Sequence, residues 1–124
     1  MEKVIEIDGK EVKFRATAAI PRLYRIKFGR DIIQDMFALK NAIQCAEKEK
    51  KTIPVEILTV FENIAYIMAK HADPDMEAKD VGEWLDNFSA FSIYIIFPQL
   101  FDLWKENIRT IATAKKKAAP STEK

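Results

Sequence analysis

The sequence predicts a mainly α-helical fold with an N-terminal β-hairpin: a small helical bundle packed on the hairpin, followed by a disordered C-terminal tail. Three observations predict it. An alternating segment is split by Asp8-Gly9, a long middle returns apolar residues at helical spacing, and the closing stretch is too polar to make a core.

In the first segment Val4, Ile5 and Ile7 stand among Glu2, Lys3 and Glu6, and Val12 and Phe14 alternate with Glu11, Lys13 and Arg15. Asp-Gly between two period-2 runs is a strong hairpin signal, because both central residues of the tight turn adopt positive φ. Strands are expected at about 3–7 and 11–15. A lone hairpin is marginal in water, so its apolar face must lie on the helices.

Thr17 is placed to cap a short helix in which Ile20, Leu23, Tyr24 and Phe28 share a face, with Pro21 in its first turn and Gly29 as its stop. Arg30 or Asp31 opens a second helix, whose apolar set Ile32, Ile33, Met36, Phe37, Leu39 and Ile43 extends to about Glu49. Thr52 is expected to start a third, with Pro54 in its first turn and Glu56 helping the cap; Ile57, Val60, Phe61, Ile64, Ile67 and Met68 form its stripe as far as about His71. Residues 72–80 are an acidic connector, followed by a short helix around Val81 to Asn87. The last helical region spans about Ser89 to Ala112 and holds Pro98, which should kink it or divide it in two. Residues 1–112 thus make one domain, and residues 113–124 are expected to be disordered.

Apolar residues make up 48% of the 124 and charged residues 31%, the balance of a globular chain that needs no staples. The single cysteine, Cys45, rules out an internal disulfide framework and a multi-thiolate zinc site. Phe88 to Trp104 is the most apolar region, but Pro98, Gln99 and Asp102 interrupt it, so no membrane span and no membrane partner are expected. Met1-Glu2-Lys3 leads into charge rather than an apolar stretch, which points to the cytoplasm.

The net charge of +1 hides an asymmetry. Residues 1–52 carry 12 basic and 8 acidic side chains, whereas residues 53–110 carry 4 and 10. A basic face around Arg22, Arg25 and Arg30 and an acidic set of Asp73, Asp75, Asp80 and Asp86 either pair within one molecule or join copies head to tail as a homo-oligomer. The basic residues Lys10, Lys13, Arg15, Arg22, Arg25, Lys27 and Arg30, interleaved with Tyr24 and Phe28, come without a docking motif, which weighs against a nucleic-acid partner.

Little here supports catalysis. His71, the only histidine, sits at a helix end where the macrodipole favours a cation, and Cys45 has no activating neighbour in sequence and reads as a small apolar residue. Asp73-x-Asp75-x-Glu77 begins like a calcium loop, yet Ala78 stands where glycine is needed and Trp84 where a bidentate glutamate is needed. With Gly9, Gly29 and Gly82 the only glycines, there is no phosphate cradle, and no cofactor or metal is expected. The C-terminal third instead carries a surplus of large apolar side chains. From it Trp84, Leu85, Phe88, Phe91 and Trp104 are the candidate partner-binding residues.

The order of segments resembles that of the tail assembly chaperones of long-tailed bacteriophages and prophages of Gram-positive hosts. The similarity lies in the hairpin through Asp8-Gly9-Lys10, in Phe14-Arg15-Ala16-Thr17, in Pro21 to Asp31, in Trp84-Leu85-Asp86-Asn87-Phe88 and in Pro98 to Trp104; Thr17 to Asp31 is its most specific part. The resemblance covers about residues 5–110 and implies a non-enzymatic protein. Such a protein binds the tape measure protein, keeps it soluble while tube subunits polymerise, and is released in the host cytoplasm rather than retained in the virion. It also implies the tail tube protein as a further partner and a longer form made by programmed frameshifting, for which Lys115-Lys116-Lys117 is the candidate slippery site. Two other classes compete: a small helical nucleic-acid-binding regulator, and a structural tail-completion protein that stays in the particle.

Overall fold

A computed structural model describes the backbone of residues 1–118 and side chains as far as residue 109. The chain runs β1 (Glu2–Ile7), β2 (Lys10–Arg15), α1 (Ile20–Phe28), α2 (Ile32–Glu49), α3 (Val55–Ala72), α4 (Val81–Leu85) and α5 (Ile93–Ala118). The tail expected over 113–124 falls where no side chain is described, and residues 119–124 lie outside the described residues.

β1 and β2 pair antiparallel with Ile7 opposite Lys10, and Asp8 and Gly9 take φ values of 55° and 75° between them. These are the two left-handed positions of the expected tight turn. The pleat then sorts the side chains: Ile5, Ile7 and Phe14 are buried on one face, while Val4, Glu6, Glu11 and Lys13 stand on the other.

Helix α3 is the axis of the bundle. It packs on β2, α1, α2, α4 and α5, and every residue from Ile64 to Ala69 is buried. A helix apolar around most of its circumference needs neighbours on all sides. Ile20 and Tyr24 of α1, Met36, Leu39 and Ile43 of α2, and Ile96, Leu100 and Leu103 of α5 belong to the same core.

Capping partly follows the expectations. Gly29 closes α1 in the left-handed conformation at φ 68°, and Asp31 caps α2 by accepting from the Ile33 amide at 2.9 Å. Thr17 does not cap α1. Its hydroxyl accepts from the Ala19 amide (3.2 Å) and bonds His71 Nε2 (2.8 Å), and Ala19 becomes the N-cap. Nor does Thr52 start α3: Pro54 occupies the N-cap, and no side chain bonds there. Helix α5 begins at Ile93 rather than Ser89 and passes through Pro98 as one helix. The residues before it are held to the hairpin turn, because Ser89 N donates to Asp8 Oδ2 (2.8 Å) and Lys10 Nζ donates to the Asn87 carbonyl.

Candidate partner-binding surface

Two aromatic clusters organise the surface. The first surrounds Trp84, which lies edge-on to Phe14 (6.2 Å between ring centroids), Tyr66 (5.9 Å), Phe88 (5.4 Å) and Phe91 (5.3 Å). Phe91 in turn tilts onto Phe61 at 5.2 Å. Strand β2, helix α3 and the residues after α4 therefore close over the indole, and only 4% of Trp84 is exposed. Trp84 was a candidate contact residue; it is a core residue that seats the hairpin on α3.

The second cluster joins α2 to α5. Phe37 stands edge-on to Phe101 (6.1 Å) and Trp104 (5.8 Å), and Phe101 tilts onto Trp104 at 5.8 Å and onto Phe97 at 5.6 Å. Lys40 and Lys105 lie over the Phe101 ring at 5.2 and 5.5 Å. Trp104, also a candidate contact residue, is buried as well, and its Nε1 has no hydrogen-bond partner among the described residues. Of the remaining candidates, Leu85, Phe88 and Phe91 are half-buried and pack against the core.

The exposed apolar groups are others. Ile33 and Phe37 on α2, and Tyr94, Ile95 and Ile108 on α5, all reach solvent. Phe37 touches Trp104, Ile33 is one turn before Phe37, and Ile108 is one turn after Trp104, so both neighbours extend the same seam along their helices. Sequence periodicity places Ile33 and Phe37 in the one apolar set of α2 with Ile32 and Met36. The signal against them was the adjacent pairs Ile32-Ile33 and Met36-Phe37: neighbouring residues cannot share one narrow helix face, and the core takes Ile32 and Met36.

Between Ile33 and Phe37 on the chain, Asp35 turns inward. Arg30 Nε and Nη2 donate to its two oxygens at 2.7 and 2.8 Å, and the Tyr24 hydroxyl donates at 2.6 Å. Burial works against the charged carboxylate, but the Arg30 and Tyr24 bonds outweigh it and hold the Asp35 pKa below the usual carboxylate range. Burial, followed by the hydrogen bond to Asp35, drives the Tyr24 hydroxyl pKa upward. This triad locks α1 to α2 across the Gly29 turn.

The proposed charge faces are thereby reduced. Arg22 and Arg25 are exposed and form no ion pair among the described residues, but Arg30 is committed to Asp35. On the acidic side Asp80 caps α4 by accepting from the Glu83 amide (2.8 Å), while Asp73, Asp75 and Asp86 remain exposed. His71 is half-buried rather than a free surface cation. Burial, then the charges of Arg15 and the N-terminus, lower its pKa, so the neutral ring bonded to Thr17 is favoured. Cys45 is exposed on α2, not part of the core.

Among the described residues no three His, Cys, Asp or Glu side chains are gathered to hold a metal, and no helix is long and apolar enough to cross a membrane. Set against known protein families, curated proteins and solved structures, the chain matches none of them.

Proposed function

We propose that the chain is a non-enzymatic tail assembly chaperone that binds the tape measure protein in the cytoplasm of the bacterial host. It keeps that client soluble while tail tube subunits assemble, and is then released and absent from the mature virion. The observation that carries the reading is the apolar seam between α2 and α5, where half-exposed Phe37 lies against the buried ring of Trp104 and Ile33 and Ile108 are exposed one turn along their helices. A seam of this kind suits an amphipathic helix laid along it, with anchors one turn apart. The segment order from the hairpin to Trp104, and above all Thr17 to Asp31, supplies the family resemblance.

The physics of a holdase fits this surface. Covering a client's apolar stripe lowers the concentration of exposed stripe available for aggregation, and a shallow seam keeps each contact weak enough for release. Trp84 and Trp104 then act from beneath, by holding the helices that carry the contacts. The test is co-expression with a tape measure protein. The expected outcome is a soluble client that co-purifies with it. A client equally insoluble with and without the chain, with no complex recovered, overturns the reading.

A further inference from the structure

A second surface, beside β2 and the connector after α3, calls for a different kind of ligand. Met1 and Ala16 exchange both backbone hydrogen bonds, at 2.8 and 2.9 Å, which fixes the parity of the hairpin ladder. Lys10, Val12 and Phe14 therefore bond β1, whereas Glu11 and Lys13 turn their N–H and C=O groups to the outer edge of β2. With two strands in the sheet, no third strand meets that edge among the described residues.

Beside the edge lies an open cleft of about 840 Å³. Residues 10–13 of β2 form one wall, the connector residues Asp73, Asp75 and Glu77 form the other, and Val12, Met76, Trp84 and Phe88 give it an apolar lining. The connector is held in place: Lys70 Nζ donates to the Pro74 carbonyl (3.1 Å), and the Tyr66 hydroxyl donates to the Ala78 carbonyl (3.1 Å).

Lysines on an edge strand ordinarily guard it against pairing. Here both are drawn aside, Lys10 to the Asn87 carbonyl and the Phe88 ring, and Lys13 to Glu2 at 3.9 Å. The carboxylates are not: Glu11, Asp73, Asp75 and Glu77 enter no ion pair among the described residues. The cleft thus offers unpaired backbone donors and acceptors on one side, uncompensated negative charge on the other and apolar surface between.

We propose that this cleft binds an extended segment of a partner protein as a third strand beside β2, with alternating apolar and basic side chains. Strand addition takes its affinity from main-chain bonds and its selectivity from alternate side chains. The apolar set would lie on Val12, Met76 and Phe88, and the lysines or arginines would meet the connector carboxylates. A second copy entering through β1 would bring Glu2 and Glu6 to the same acidic wall, and pairing of two copies through β2 is the dimerisation outcome of the test below. This site is separate from the α2–α5 seam and does not depend on the chaperone reading.

The probe is a fluorescent decapeptide of alternating lysine and valine, titrated by anisotropy and followed by amide hydrogen exchange. Binding is expected, with the Glu11 and Lys13 amides newly protected. Methylating alternate peptide nitrogens, or replacing lysine by glutamate in the peptide, should weaken binding at least tenfold, and so should the double variant Asp75→Lys/Glu77→Lys in a protein whose melt is unchanged. Any of three results overturns the proposal: no binding, equal binding of both N-methylated registers, or protection of those amides by concentration-dependent dimerisation without peptide.

Discussion

The two tryptophans sit at equivalent depth in very different surroundings. Trp84 is enclosed by aromatic rings from β2, α3 and the segment after α4, so its cluster is closed by the fold itself. Trp104 is covered on the α2 side by Phe37, which is 48% exposed, and its indole N–H has no acceptor among the described residues. Unpaired buried donors are uncommon because leaving one unbonded costs about 1–3 kcal/mol. The first cluster is a finished core, and the second is a core with its outer layer left open. Aromatic residues therefore do two kinds of work in this molecule, and burial alone does not separate them.

The largest effect should come from emptying the closed cluster. Trp84→Ala is expected to cost ~3–5 kcal/mol and to loosen the hairpin from α3, seen as a lowered thermal midpoint and as faster exchange of the β2 amides. The comparison sharpens with Trp→Phe at both sites. Trp104→Phe should cost about 1 kcal/mol less than Trp84→Phe, because it also removes the unpaired N–H. Equal losses would mean that the two clusters are alike.

Asp35 tests the inward side of the helix that carries the open seam. Asp35→Ala strands the Tyr24 hydroxyl and should cost about 2–3 kcal/mol, at the lower end of buried-pair losses because the Arg30 side chain is half-exposed. The folded carboxyl is held below its ordinary pKa, so its contribution is fully present above about pH 4 and is lost as pH falls through the folded value. Melts from pH 6 down to pH 2 should fall more steeply for the wild type than for Asp35→Ala.

On the outward side, Phe37→Ser should cost ~1 kcal/mol or less while sharply lowering recovery of the client in the co-expression assay. A large stability loss with client binding intact would reverse the roles given to the two clusters. The smallest effect belongs to His71, whose lowered pKa makes its contribution complete above about pH 6.5 and lost as pH drops through the folded value. A shallow decline in stability below pH 6.5, absent in His71→Gln, is the expected signature.

What the sequence made legible was local. Asp8-Gly9, Gly29 and Asp31 act through their own backbone or the next few residues, and each does what its chemistry dictates. Thr17 failed as a cap because His71, 54 residues later, and the Ala19 amide hold its hydroxyl, and Thr52 because Pro54 already supplies the N-cap. The burial of two candidate site residues was hidden in the same way. Trp84 and Trp104 were counted as surplus apolar surface, yet what covers them comes from β2, α3 and α2, which no spacing within the C-terminal third reveals. Ile33 and Phe37 obey helical periodicity and still face outward, since two adjacent apolar stripes share α2 and the core has room for one.

The bonds from the hairpin turn to the segment before α5 set an order in time. Asp8 holds the Ser89 amide and Lys10 the Asn87 carbonyl, so a hairpin made before the helices is finished by contacts 81 and 77 residues away. Long-range closures of this kind slow folding relative to a bundle joined by local turns. During synthesis at about 5–20 residues per second the β2 face, with Phe14 at its centre, waits several seconds for Trp84 to emerge. The chain thus passes through an interval in which its own apolar surface is uncovered.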